Sequence, residues 1–173
     1  VLDFLKVGDS APDVDFQPLN GAEKVKLSGL TASGPVVLVV VRGYPDYRCP
    51  IYFRQMGKLA RHAEDFRRLG AKVVLVYMGP ADELAERAQE CLQDTKLPEP
   101  FVMMIDPDYA FTNLYHIRWD EPRETAYPST FVLDSNRKVT FRKTSFSHGD
   151  RSTSDDLLAA VERIPATGAT NTQ

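Results

Sequence analysis

The stretch VVLVVVRGYPDYRCPIYFRQM, residues 36–56, decides the fold. Its first six residues are apolar without alternation, the pattern of a strand covered on both faces. A short polar turn follows, then Cys49 and Pro50, then a run with helical spacing. Proline suits the first turn of a helix, because the first N–H groups there have no intrahelical partner. A strand feeding a helix through such a turn is the basic unit of an α/β sheet. The same stretch carries chemistry. A thiol at a helix start sits at the positive end of the dipole, which favours the thiolate, the nucleophilic form. Arg42 and Arg48 flank Cys49 and act in the same direction. Cysteine is also among the most commonly buried residues, so a packing role is the competing reading. Position and neighbours favour the reactive one.

Outward from this unit, strand and helix patterns alternate. Residues 14–19 and 24–27 flank Asn20-Gly21, a hairpin signal. Phe53, Met56, Leu59, Ala60, Ala63 and Phe66 predict one helix over 50–69, ended by Gly70. Residues 72–78 predict a second buried strand. A helix over 80–92 carries Asp82 and Glu83 in its first turn. A strand over 101–105, a short helix over 109–115 and a hairpin of 130–133 with 138–143 follow. A helix over 154–164, capped by Thr153 or Ser154, closes the chain. Strands alternating with helices need right-handed crossovers and a sheet covered on both faces. The hairpins add antiparallel strands, so the expected sheet is mixed.

A chain of 173 residues suits one domain, here 1–165, large enough for a full core. The small, polar segment 166–173 is predicted to be a disordered tail. A net charge of −3 gives no basis for a nucleic-acid or membrane partner, and the longest apolar run, 35–41, is too short to span a bilayer. Two cysteines are too few for a disulfide framework. No metal-ligand spacing joins them to His62, His116 or His148, so no metal is expected. A cysteine-poor chain fits a reducing compartment, and a cytoplasmic location is the expectation. The chain begins at Val1, which leaves a removed leader open.

Several motifs together carry a resemblance. Gly8-Asp9-Ser10-Ala11-Pro12-Asp13 resembles the opening motif of the peroxiredoxin and redoxin families. Val25-Lys26-Leu27-Ser28-Gly29-Leu30 is similar to the segment that usually follows it. Cys49-Pro50 stands where the family's peroxide-attacking cysteine lies. Tyr127-Pro128-Ser129-Thr130-Phe131-Val132-Leu133-Asp134 resembles the late strand with its thioredoxin-like proline. The resemblance spans roughly residues 7–164. It implies a thioredoxin-like fold, a mixed sheet flanked by helices, with an added N-terminal hairpin. It also implies that Pro128 is cis and faces the cysteine.

The active-site pattern departs from the family at named positions. Peroxiredoxins carry P-x-x-x-T-x-x-C; here Arg42 replaces the proline and Asp46 the threonine. An ionised carboxylate accepts hydrogen bonds but donates none, and it raises a neighbouring thiol's pKa by like-charge repulsion. The family's second arginine, early in the late strand, is absent where Tyr127 and Pro128 stand; Arg118 or Arg123 would have to reach in from the preceding loop. A related branch with an R-G-x-W-C-P-x-C pattern shares Arg42-Gly43 and Cys49-Pro50, but Tyr52 occupies its second cysteine position. Dithiol chemistry by the usual route is therefore closed. Cys91 is either a resolving cysteine, as in some two-cysteine relatives, or a core residue on the stripe Leu84–Ala88–Cys91–Leu92, and its spacing favours the core. Tyr44, Tyr47 and Tyr52 either line a pocket or pack the loop. Arg48 is expected to face solvent. His62 lies three to four turns along the helix from Cys49, too far to act as its base.

The resemblance implies a thiol peroxidase that turns the Cys49 thiolate into a sulfenic acid with a hydroperoxide, Arg42 stabilising the departing oxygen. A thiol reductant, either a thioredoxin-like protein or a small thiol, would complete the cycle without a cofactor. A homodimer is compatible with the same resemblance. The alternative is a thioredoxin-fold binding or regulatory module whose peroxidase chemistry has lapsed, supported by Asp46, Tyr52 and the missing arginine. A thiol–disulfide oxidoreductase is disfavoured by Tyr52.

Overall fold

The computed structural model describes residues 4–21, 23–41, 43, 50–92, 96–146 and 152–164, with the backbone alone at residues 50–53 and 55. The expectation for segment 166–173 falls outside them. The apolar run becomes β3 (Val36–Val40), every residue of it buried. It occupies the interior of a mixed sheet with β1 (Asp15–Pro18), β2 (Val25–Lys26), β4 (Lys72–Gly79), β5 (Phe101–Pro107), β6 (Ser129–Leu133) and β7 (Val139–Thr144). Among the described residues the order is β2-β1-β5-β4-β3-β6-β7. β3, β4 and β5 are parallel, whereas β6 and β7 on one side and β1 and β2 on the other are antiparallel. This is the thioredoxin-like arrangement with an added N-terminal hairpin.

Alternation along β3 divides the core in two. Val37, Val39 and Val41 face a layer containing α2 (Pro50–Ala60), α3 (Ala63–Arg68), α4 (Leu84–Leu92) and α6 (Ser154–Glu162), whose Met56, Leu59, Phe66, Leu84, Ala88 and Leu157 pack there. Val36, Leu38 and Val40 face α1 (Leu27–Ala32) and α5 (Ala110–Leu114), with Leu27, Phe111 and Tyr115. Full burial of a valine or leucine contributes about 2 kcal/mol, comparable with the ~1–2 kcal/mol of backbone entropy lost per ordered residue. β3 thus offsets its own ordering. The two-residue β2 does not, and it depends on its pairing with β1 and on the Leu27 N–H donating to Val14 O at 2.8 Å.

The elements differ from expectation at three places. The helix predicted over 50–69 is two, α2 and α3, broken at Arg61-His62, where His62 N bonds Leu59 O at 2.9 Å in a tighter turn. Both halves face the same layer, so the apolar spacing hides the break. The helix predicted over 80–92 begins only at Leu84, because Glu83 adopts a left-handed φ of 61°. α1 was not expected; the residues after β2 turn directly into a short helix. α6 is capped as expected: Asp156 N donates to Thr153 Oγ1 at 3.1 Å and Thr153 N donates back to Asp156 Oδ2.

Candidate active site

The site is framed by the ends of three neighbouring strands. Val40, the last residue of β3, pairs with Val76 of β4 on one side and with Ser129, the first residue of β6, on the other. Val41 continues the ladder through its N–H to Val76 O at 3.1 Å. Gly43 is then seated against β4. Its φ is 77°, and a Cβ there would meet the backbone oxygen of Met78, with Met78 Sδ at 2.8 Å and its backbone nitrogen at 2.9 Å. Only glycine fits this backbone-to-backbone approach. α2 begins at Pro50, the residue after Cys49 in sequence. α2 has eleven residues and no acidic side chain in its first turn, so no carboxylate of its own opposes an anion at its N-terminus.

Arg42, Tyr44, Asp46, Tyr47, Arg48 and Cys49 lie outside the described residues, and Tyr52 is described by its backbone, in α2. The remaining expectations can be placed. Pro128 is buried immediately before β6, but its peptide bond is trans; among the described residues the cis bond is Glu99–Pro100. The backbone on either side of this bond is held by its neighbours. Tyr127 N bonds Ile117 O, and Ser145 N bonds Pro128 O, both at 2.9 Å, so the segment just before β6 is tied on both sides of the Tyr127–Pro128 bond. Arg118 is engaged within its own loop. Its Nη1 donates to the carbonyls of Trp119, Glu124 and Thr125, and its guanidinium lies 4.0 Å from the Tyr109 ring centre, so it braces the loop before β6. Arg123 is exposed on that loop. Cys91 is half-buried on α4 and packs against the core layer with Leu84, Ala88 and Leu92.

Sequence reading missed three features. The Gly43–Met78 contact joins residues far apart in the chain, so no local pattern announces it. Asp106, at 4% exposure, accepts from Phe111 N, Thr112 N and Thr112 Oγ1 at 2.7–2.9 Å. Burial pushes its carboxyl up, and these bonds pull it partly back. Finally, Trp119, Tyr127, Phe146 and Phe4 gather around the start of β6. Among the described residues no group of three or more His, Cys, Asp and Glu side chains is placed to hold a metal ion. No described helix is long and apolar enough to cross a membrane.

The model of the AhpC/TSA family matches residues 7–142. No curated protein matches the chain. Among solved structures, the chain is similar to the peroxidoxin BcpB of Mycobacterium tuberculosis, with a TM-score of 0.72 and 24% identity over 94% of this chain and 99% of that one. It is also similar to the peroxiredoxin-like protein of Aquifex aeolicus, with a TM-score of 0.74 and 17% identity over 92% and 88%. A third likeness is to a yeast mitochondrial 1-Cys peroxiredoxin, a protein whose thiol is resolved through glutathione and thioredoxin systems. It has a TM-score of 0.72 and 15% identity over 92% and 76%. At these identities the structures speak for the fold.

Proposed function

The chain belongs to the AhpC/TSA family, and from that membership we propose that it is a thiol peroxidase whose nucleophile is Cys49. The observation that carries the reading is the passage from β3 to α2. β3 ends inside the sheet, Gly43 is fixed over Met78, and α2 opens at the residue after the thiol. A helix N-terminus supplies unpartnered N–H groups and positive potential, which lower a thiol's pKa and stabilise a departing oxyanion.

In the proposed reaction the Cys49 thiolate attacks the distal oxygen of a hydroperoxide. The S–O bond forms as the O–O bond breaks. The leaving alkoxide or hydroxide takes a proton, and the products are alcohol or water and Cys49 sulfenic acid. Arg42, the first residue beyond the Val41 rung, is the cation proposed to meet the charge on the leaving oxygen. A second thiol then condenses with the sulfenic acid, releasing water, and a further thiol reduces the resulting disulfide. Tyr52 removes the nearest partner, and Cys91 packs in the core layer. An external thiol, as for the yeast relative, is therefore the proposed reductant.

Pro128 favours a second reading, a fold retained for binding after its peroxidase chemistry lapsed. A buried, donor-less ring stands at the start of β6, where the family pattern has an arginine. The two readings separate by intact mass of the reduced protein after stoichiometric hydrogen peroxide, with and without dimedone. A dimedone adduct mapped to Cys49 within seconds is the expected result. Loss of two hydrogens mapped to Cys49 and Cys91 would instead assign an internal resolving pair. An unchanged mass after minutes would overturn the peroxidase reading in favour of the second.

A further inference from the structure

The loop that delivers the chain to β6 is held from inside by a cation. Residues 117–119 run back against residues 125–127. Tyr127 N donates to Ile117 O at 2.9 Å, Trp119 N donates to Thr125 O at 3.1 Å, and Arg118 bridges Ala126. His116 and Arg123, one before the loop and one in it, are left-handed, with φ of 58° and 66°. Such backbone persists in non-glycine residues only where its surroundings over-determine it. The Arg118 side chain, 24% exposed, supplies that constraint. Its Nη1 donates to the carbonyls of Trp119, Glu124 and Thr125, which ties both limbs of the loop to one charge. Its guanidinium also sits 4.0 Å from the centre of the Tyr109 ring. Asp120 stands 3.8 Å from Nη2, but it is 95% exposed and contributes little.

The contacts of Arg118 close a circuit around the framework of the site. Val40 of β3 pairs with Ser129 of β6, and the loop that Arg118 ties ends at Tyr127 and the buried Pro128, just before Ser129. On the other side, Arg118 rests on Tyr109, the N-cap of α5. Asp106 of β5 caps that helix through Phe111 N and Thr112 N, and it pairs with Met78 of β4. Met78 is the residue against which Gly43 is seated, three positions beyond Val40. We infer that Arg118 is a positioning residue for the reaction of Cys49, fixing Pro128 and Ser129 beside the end of β3 by tying their loop to Tyr109. The inference rests on the proposed chemistry of Cys49. Arg118 acts through backbone placement rather than through its charge, because carbonyl oxygens take the protons of Nη1. Lysine cannot substitute, since an ammonium lacks the planar fork that donates to the carbonyls while lying over a ring.

Two rates at Cys49 test the inference on the full chain: sulfenic acid formation with hydrogen peroxide, trapped by dimedone, and alkylation by iodoacetamide. Alkylation needs only the thiolate, whereas the peroxide reaction also needs the oxygens held in line. A misplacement of about 1 Å can cost on the order of a hundredfold in rate, so Arg118→Ala should slow the peroxide reaction at least about tenfold. The alkylation rate and its pH midpoint should stay unchanged. Guanidinium chloride, well below its denaturing concentration, should restore part of the peroxide rate in Arg118→Ala, and sodium chloride at the same concentration should not. Arg118→Lys, which keeps the charge, should fold with a wild-type circular dichroism spectrum and still be slow. A folded Arg118→Lys with the wild-type peroxide rate would overturn the inference. So would alkylation that falls in step with the peroxide reaction, which would place the effect on the thiolate. A wild-type chain inert to peroxide would instead overturn the reading of Cys49, and this inference with it.

Discussion

At the scale of single residues, Gly43 shows how tightly the framework of the site is set. Its left-handed backbone costs a non-glycine residue about 1 kcal/mol, but contact decides the outcome. A methyl group there would run into the backbone of Met78, which is fully buried in β4 and paired with Asp106 of β5. Neither side can yield cheaply, so Gly43→Ala should destabilise by about 2–4 kcal/mol and slow sulfenic acid formation at Cys49. Thermal unfolding and the dimedone-trapping rate report the two effects. Unchanged values in both would show that the chain accommodates the methyl group elsewhere. Asp46 bears on the opposite property, reactivity. Removing a like charge near a thiolate lowers the thiol pKa by on the order of one unit, so Asp46→Thr should speed peroxide oxidation by up to about tenfold at neutral pH. The pH profile of Cys49 alkylation, resolved from Cys91 by peptide mass, gives the pKa directly. An unshifted profile would mean that Asp46 does not face the sulfur.

At the scale of elements, α5 cannot stand alone. A five-residue helix is far below the length that is stable in water, and its N-cap, Tyr109, is left-handed and makes no side-chain cap bond. The cap comes instead from β5. Asp106 binds the N–H groups of Phe111 and Thr112 and the Thr112 hydroxyl, all buried. Asp106→Ala would strand these donors, and a loss of about 2–4 kcal/mol is expected in urea unfolding. Asp106→Asn keeps one acceptor oxygen but turns an amide toward Thr112, so it should recover only part of that loss. If Asp106→Ala unfolds like the wild type, the bonds are being replaced by water and the cap is not structural. This device illustrates the limit of reading elements from sequence. Residues 106–109 look like an ordinary turn, and the bond that matters spans two consecutive left-handed residues, Asp108 and Tyr109. By contrast, Thr153 sits beside its helix, and its cap was legible.

At the scale of the whole molecule, the alternation of buried strands and amphipathic helices made the α/β class legible, because both periodicities are local. The strand order was not, since β1 joins β5 through Gln17 and Pro18, nearly ninety positions away. The helix start at Pro50 was equally legible, whereas the aromatic patch was not. Phe4, Trp119, Tyr127 and Phe146 meet only once β6 and β7 are folded beside the N-terminal segment. Tyr115 holds the fold across a similar span. It is fully buried after α5, packs against a tilted Phe111 ring and meets Phe131 edge-on, and donates from its hydroxyl to Pro12 O at 2.7 Å. Burial pushes its phenol well above the ordinary tyrosine range, although the Arg137 charge pulls partly against this. The native state therefore keeps a proton that the unfolded chain releases near pH ~10. Stability from this group is fully present below that pH and is lost as pH rises toward the native value. Tyr115→Phe removes the titration together with the bond to Pro12. It should cost about 1 kcal/mol at neutral pH and flatten the alkaline fall in unfolding free energy. Tyr109, whose phenol is also pushed up by burial, leaves part of the slope in place. Urea unfolding from neutral to alkaline pH measures both limbs. An alkaline slope as steep in Tyr115→Phe as in the wild type would show that this phenol already ionises in the native state, and that the N-terminal segment is held by its apolar contacts alone.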